Sequence, residues 1–317
     1  MIVVTGGAGF IGSNLVRALN ARGKEDILVV DDLTDGEKFR NLSDCRIMDY
    51  WDIGELDVFL RSDRDFPLEV EAVFHQGACT DTTNTDGRFM MENNFRYSKQ
   101  LLHYCLDRLI PCIYASSASV YGVSRRFEEE AGIEAPLNVY GYSKFLFDEY
   151  ARRQRRGTKS QVVGLRYFNV YGRGEQHKRA MASVVFQFNR QLLIGGEVKL
   201  FRGSGGFGDG GQRRDFVHVD DVVAVNLWCL DHPEVTGIFN VGTGRSRSFN
   251  EVARILIDWH GRGEIAYIDF PEHLQGNYQS FTEADIRALR QAGYTESFLD
   301  LEEGARRYLG WLNQDAA

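Results

Sequence analysis

At 317 residues, with 43% hydrophobic and 26% charged residues, the chain has an ordinary globular balance and room for one large domain or two interlocked ones. A net charge of −8 and a pI near 5.5 argue against a general nucleic-acid binder, and no apolar run approaches the ~20 residues of a membrane helix. The five cysteines (Cys45, Cys79, Cys105, Cys112, Cys229) contain no C-x-x-C pair, so neither a disulfide framework nor a metal site is expected.

Met1-Ile-Val-Val-Thr5 enters a strand directly, which leaves no room for a signal peptide and predicts a reduced, cytoplasmic protein. That strand ends in Gly6-Gly7-Ala8-Gly9-Phe10-Ile11-Gly12, and the helical pattern Leu15, Val16, Leu19 follows. Gly7, Gly9 and Gly12 fit G-x-G-x-x-G, a spacing that lets backbone N–H groups approach a pyrophosphate at a helix N-terminus. A second buried strand at 27–30 ends in Asp31-Asp32, about 20 residues past the glycines, where an acid holds a ribose hydroxyl. A glycine fingerprint alone is weak evidence. Strand, helix, strand and acid in this order make dinucleotide binding the expectation.

The alternation continues. Strands are predicted at 46–50, with Asp52 just beyond, and at 72–75, running into Gln76-Gly77-Ala78, a small-residue turn that can pass close to a cofactor. A helix is predicted over 90–108, stopping before Pro111. A strand at 112–115 carries Ser116 and Ser117 at its carboxyl end, the side on which open α/β sheets bind ligands. Further strands are read at 161–166 and 237–241. The fold class is therefore α/β, a doubly wound parallel (Rossmann) sheet with a smaller, interleaved C-terminal α/β substrate domain. The dinucleotide domain is assigned to 1–170 with 215–245, and the substrate domain to 171–214 with 246–317. In the latter, helices are expected at 181–193, 249–260 and 299–312, and the glycine-rich stretch 203–211 reads as a mobile loop over the substrate.

The chain is organised around Asn138-Val-Tyr140-Gly-Tyr-Ser-Lys144. On a helix, Tyr140 and Lys144 share a face. A phenol titrates near pH 10, and an adjacent ammonium favours the phenolate, so the pair can trade a proton with a substrate hydroxyl. Tyr-x-x-x-Lys also occurs by chance, and Ser117 could merely satisfy a strand end. The basic run Arg152-Arg153-Gln-Arg155-Arg156 suits the C-terminal end of the same helix, where cations complement the dipole. His103, His232, His260 and His273 lack metal-ligand spacing and read as structural or surface residues.

Thr5 to Gly12, Ser117 with Val120-Tyr121-Gly122, Tyr140-x-x-x-Lys144, Arg166-Tyr-Phe-Asn169-Val-Tyr-Gly172 and Arg214-Asp-Phe-Val-His-Val-Asp220 occur in this order. Together they resemble the extended short-chain dehydrogenase/reductases, the nucleotide-sugar epimerases and dehydratases, over nearly the whole chain. Residues 136–150, Phe89-Met-Met-Glu-Asn93-Asn94 and Glu175-Gln-His177-Lys178-x-x-Met-Ala-Ser-Val184 are similar to the family's heptose-epimerising members. That resemblance implies epimerisation at C-6 of ADP-D-glycero-D-manno-heptose through a transient 6-keto sugar, for the inner core of lipopolysaccharide.

Site roles follow from the same resemblance. Tyr140 and Lys178 are the implied acid/base groups on opposite faces of the carbon, with His177 as the alternative to Lys178. Lys144 is expected to lower the Tyr140 pKa and hold the nicotinamide ribose, and Ser117 to hydrogen-bond the reacting oxygen. Implied cofactor contacts are Gly6, Gly9, Phe10, Ile11, Gly12, Asp31, Asp32, Lys38, Gln76, Gly77, Ala78, Asn93, Lys144, Val170 and Lys178. Implied substrate contacts are Ser117, Asn169, Ala180, Gln187, Phe201, Arg202, Gly203, Ser204, Arg214 and Tyr278. Arg214 suits a diphosphate because its planar fork donates bidentately. Asp31 argues for NAD, whereas Lys38 with Arg40 argues for NADP; the resemblance favours NADP and leaves NAD as the alternative. The expected partners are an ADP-heptose and further copies of the chain, with no nucleic acid and no membrane.

Two other functions compete. A dehydratase of this family places Asp-Glu directly after the active-site Ser/Thr, and Ala118 and Ser119 stand there instead. A UDP-hexose 4-epimerase needs no second base like Lys178, and is the alternative reading. A non-catalytic dinucleotide sensor predicts loss of Tyr140 or Lys144, and both are present.

Overall fold

The computed structural model describes residues 1–62, 64–271 and 278–314; His273 lies outside them. In chain order the elements are β1 (Ile2–Thr5), α1 (Phe10–Ala21), β2 (Ile27–Asp31), β3 (Asp49–Asp52), α2 (Ile53–Arg61), β4 (Ala72–His75), α3 (Gly87–Met91), α4 (Tyr97–Asp107), β5 (Cys112–Ser117), α5 (Val139–Arg155) and β6 (Val162–Tyr167). Then come β7 (Asn169–Tyr171), α6 (Val184–Gly195), β8 (Glu197–Phe201), β9 (Arg213–His218), α7 (Val219–Asp231), β10 (Gly237–Val241), β11 (Ser246–Ser248), α8 (Phe249–His260), β12 (Glu264–Ile268), α9 (Arg287–Gln291) and α10 (Leu301–Leu312).

Seven strands form one sheet in the order β10-β6-β5-β4-β1-β2-β3. β1 pairs in parallel with β2 and β4, β2 with β3, and β4 with β5. β1, β2 and β4 are buried along their whole length, which is why they read as unbroken apolar runs. The order reverses between β1 and β4, and a ligand crevice opens outside the carboxyl ends of strands at such a switch point. Thr5-Gly6 and His75-Gln76 lie at that point.

The strand expected at 46–50 begins later, at Asp49, because Asn20 takes both backbone groups of Arg46: its Oδ1 accepts Arg46 N and its Nδ2 donates to Arg46 O. Asp52 closes a capping box with Glu55 at the start of α2. The single helix expected over 90–108 is α3, a π-helical turn at Glu92–Arg96, and α4. The predicted start at residue 181 gives way to a 3-10 turn, Gln176–Met181, before Ser183 caps α6.

By contact density the chain divides into two compact units, residues 1–120, 138–166 and 223–239, and residues 121–137, 167–222 and 240–317. The core of the first includes Val3, Leu28, Val73, Leu101, Tyr114 and Phe147. The second holds a three-stranded sheet, β11-β9-β7, and a parallel pair, β12-β8. Its core joins Val185, Leu192, Val198, Phe216, Leu256 and Leu309. Among the described residues no helix is long and apolar enough to cross a membrane, and no cluster of His, Cys, Asp and Glu could hold a metal.

Candidate active site

The first unit builds a cradle at the sheet switch point. Gly6 adopts φ +67°, and a Cβ there would stand 2.6 Å from the Gly77 backbone. A Cβ on Gly12 would meet the Gly6 carbonyl at 2.1 Å, so α1 can start this close to β1 only with glycine. Gly9 is the N-cap of α1 and supplies no side-chain acceptor, with Phe10 and Ile11 in the first turn. This end of α1 has the dipole and backbone donors that suit a pyrophosphate. The residues fit a dinucleotide.

At the end of β2, the Asp31 carboxylate accepts three hydrogen bonds: from Ala8 N at 2.8 Å, Asp32 N at 2.7 Å and Lys38 Nζ at 2.5 Å. Lys38 also donates to Asp32 O at 2.6 Å. Asp31 and Lys38, which point to different dinucleotides by sequence, are thus one ion pair. Gln76 donates to Asn226 Oδ1, and Gly77 N to Thr5 Oγ1.

Asn138 caps α5 by accepting from Gly141 N, which starts the helix so that Tyr140 falls in its first turn and Lys144 one turn later. Tyr140 is buried. Burial raises its pKa, and a hydrogen bond with Ser117 opposes that rise. Lys144 was expected to lower the Tyr140 pKa; instead its Nζ donates to Ala115 O at 2.8 Å, leaving Ser117 as the group that eases phenol ionisation. Burial brings Lys144 itself down to about 8, against an upward pull from Asp148. Asp148, one turn further along, accepts from Arg166 Nε at 2.8 Å, Ser116 Oγ at 2.9 Å and Tyr114 Oη at 3.1 Å. Ser117 Oγ also accepts from Ser119 Oγ at 2.9 Å. Arg152, Arg153 and Arg155 occupy the last turn of α5, where its dipole favours cations.

Asn94 was not anticipated. It is fully buried in the π-helical turn; its Oδ1 accepts from Cys79 N at 2.8 Å, and its Nδ2 donates to Cys79 O at 2.9 Å and Ser143 Oγ at 3.2 Å. It therefore fixes the chain just past Gln76-Gly77-Ala78 against α5. Asn93, the neighbour expected at the cofactor, donates to Phe89 O.

The other expected residues lie in the second unit. Asn169 and Val170 are on β7, paired with Phe216 and Val217 of β9. His177, Lys178 and Ala180 share the 3-10 turn after Gly174, in which Arg179 has φ +52° and ψ −115°. Burial lowers the pKa of Lys178, and Glu175 opposes that fall. Gln187 Nε2 donates to Arg179 O at 2.5 Å. Phe201, Arg214 and Tyr278 cluster: the Arg214 guanidinium lies 4.9 Å from the Tyr278 ring centre, and the Phe201 and Tyr278 rings are 6.4 Å apart. The stretch from Arg202 onward is braced internally, with Gly203 N donating to Asp209 Oδ1 and Gln212 Nε2 to both Arg202 O and Ser204 Oγ.

Residues 2–242 match the model of the NAD dependent epimerase/dehydratase family. The chain belongs to this family. Within this NAD dependent epimerase/dehydratase family, a relative from Alkalilimnicola ehrlichii, an ADP-L-glycero-D-manno-heptose-6-epimerase, is 60% identical over 98% of this chain and 96% of its own. The crystal structure of the Helicobacter pylori ADP-L-glycero-D-manno-heptose-6-epimerase matches with a TM-score of 0.85 at 33% identity, covering 98% of this chain and 96% of that one. The Thermus thermophilus UDP-glucose 4-epimerase in complex with NAD matches at a TM-score of 0.79 and 29% identity, with 97% of each chain covered.

Proposed function

We propose that the chain is an isomerase that converts ADP-D-glycero-D-manno-heptose to ADP-L-glycero-D-manno-heptose at C-6 through a 6-keto sugar, supplying the heptose donor for the inner core of lipopolysaccharide. The observation that carries this reading is the 60% identity, over 98% of the chain, to a relative of that name. Gly6, Gly9, Gly12 and Gly77 would hold a nicotinamide dinucleotide, as the complex of the Thermus thermophilus relative with NAD supports. When bound, that cofactor takes up the C-6 hydride and returns it.

The chain's own residues handle the proton. Tyr140 Oη exchanges the proton of the C-6 hydroxyl on one face, and Ser117 Oγ hydrogen-bonds the reacting oxygen while easing ionisation of the phenol. Lys178 serves the other face; burial lowers its pKa, against an upward pull from Glu175. Lys144 orients the nicotinamide ribose. Arg214, held against Tyr278, suits the diphosphate, with Phe201 beside them.

The dinucleotide is NADP. Asp31 would repel a 2′-phosphate if its charge were unpaired, but Lys38 neutralises it, and both carboxylate oxygens are already occupied by donors. The protein works as a homo-oligomer, which light scattering of the purified protein reads directly.

The alternative, a UDP-hexose 4-epimerase, is favoured by similarity to UDP-glucose 4-epimerases such as those of Thermotoga maritima and Thermus thermophilus, at lower identity. The deciding assay gives purified protein ADP-D-glycero-D-manno-heptose and, separately, UDP-galactose, and resolves the product epimers by chromatography. Conversion of the heptose, with severe loss in both Tyr140→Phe and Lys178→Met, is the expected result. Turnover of UDP-galactose alone would overturn the heptose reading, and full activity of Lys178→Met on heptose would move the second acid/base role to His177.

A further inference from the structure

Lys178 is carried on the short 3-10 turn Gln176–Met181. None of residues 176–181 is fully buried, although Lys178 is half-buried, and one of them, Arg179, sits in a left-handed backbone region that non-glycine residues rarely adopt. Something outside the turn must fix it. The residue immediately before it, Glu175, is fully buried. Its carboxylate accepts from Ser183 N at 2.5 Å and Ser183 Oγ at 2.7 Å, and more distantly from Gly172 N at 3.3 Å. Its backbone carbonyl accepts from Lys178 N at 2.9 Å. Glu175 thus ties the residue before the turn to Ser183, the N-cap of α6, beyond it, while Gln187 on α6 holds the Arg179 carbonyl.

We propose that Glu175 is the positioning residue of Lys178, a buried carboxylate that clamps the two ends of the lysine-bearing turn and presents a fixed negative charge to its ammonium. This inference rests on the reading of Lys178 as the second acid/base group. A buried carboxylate is costly unless hydrogen-bonded, and three donors meet this one. The charged and titratable groups that face it among the described residues include Lys178 and the Tyr308 hydroxyl of α10, which lies in its field without closing a well-formed hydrogen bond. Burial raises the Glu175 pKa, and the Ser183 donors, Lys178 and Gly172 oppose that rise; burial lowers the Lys178 pKa, and Glu175 opposes that fall. Without Glu175, Lys178 loses a charge that helps hold its proton. It should then carry its proton less often, on a looser turn.

The test reads Lys178 directly. The full-length protein and its Glu175→Gln variant are pulsed with an amine-acylating reagent across a pH series, and acylation of Lys178 is quantified by peptide mass spectrometry. The labelling midpoint in Glu175→Gln is expected about one pH unit below wild type, with kcat on ADP-heptose reduced ~10-fold or more and KM changed far less. Should Glu175→Gln fail to fold, Glu175→Asp carries the test. Its carboxylate is one methylene short of Ser183, so the midpoint still drops, by a smaller amount. An unchanged Lys178 midpoint in the folded variant overturns the proposal, even if thermal stability falls, because a purely structural brace would lower stability alone. The midpoint is independent of substrate. If Lys178→Met proves fully active, the catalytic reading of Lys178 fails while the labelling still decides the role of Glu175.

Discussion

At Lys144, burial and electrostatics pull in opposite directions, and burial wins: the folded-state pKa is about 8 rather than 10.5 although Asp148 pulls it upward. Between those values the unfolded chain keeps a proton that the folded chain has released. Unfolding free energy therefore rises with pH across that window, and the contribution of Lys144 is complete above 10.5 and lost as pH falls through 8. In urea unfolding of the ligand-free protein, wild type should gain about 1.4 kcal/mol per pH unit over Lys144→Met within this window. A difference that stays flat with pH would contradict the buried, partly neutralised lysine. Lys38 makes a different kind of prediction. Its ammonium already bonds Asp31 and the Asp32 carbonyl, so it stands fixed at the end of β2 where a 2′-phosphate would arrive. A charge-assisted bond to phosphate contributes about 1.5–3 kcal/mol, so Lys38→Ala should weaken NADP roughly 10- to 100-fold in a binding titration and NAD much less. Equal losses for both dinucleotides would place the phosphate elsewhere.

Among the elements, the helix expected over 90–108 shows where sequence patterns stop. Its C-terminus follows a Schellman arrangement: Ile110 N donates to Cys105 O at 2.8 Å and Leu109 N to Leu106 O at 3.3 Å. The position that normally takes glycine is Leu109, at φ +56° and 62% exposed. A leucine there gives no stop signal, and only Pro111 betrayed the end of the helix. Since a non-glycine residue in the left-handed region costs about 1–2 kcal/mol and this side chain buries little, Leu109→Gly should stabilise the protein by about 0.5–1 kcal/mol. A lower urea midpoint for the variant would mean that the Leu109 side chain packs more than its exposure indicates. The π-helical turn before α4 was equally illegible. Asn93 and Asn94 look alike in sequence, and an extra residue per turn turns the Asn94 amide into the core, where it bonds Cys79 on both backbone groups. By contrast α8 was read to the residue, because Ser248 and Glu251 form a capping box and Gly261 ends the helix in the left-handed conformation.

For the molecule as a whole, legibility divides along the two units. In the first, β1, β2 and β4 are short apolar runs buried along their length, and the glycines and Asp31 mark where they end. In the second, β9 is Arg213–His218, a strand with only two apolar residues, whose buried Arg214, Asp215 and His218 make it read as a polar loop. β8 alternates exposed and buried residues, so no continuous hydrophobic run announces it, and β12 leaves much of its length exposed. The two proposed acid/base groups are Tyr140 and Lys178. If the two serve opposite faces, they serve successive halves of one epimerisation: one group assists formation of the 6-keto sugar, and the other assists its reduction. Losing Tyr140 slows formation of the intermediate and its reversal alike; losing Lys178 slows the other half. Each single variant should fall by about 10²–10⁴ in kcat/KM, the usual contribution of a positioned acid or base. In Tyr140→Phe/Lys178→Met both halves are slow, but they run in series, and the slower one sets the rate. The double variant should therefore be no worse than the poorer single, rather than the product of the two losses. Steady-state kinetics on the four proteins measures this directly. A multiplicative loss would mean that Tyr140 and Lys178 act together in the same half, on one face of the sugar, and the two-face scheme would have to be abandoned.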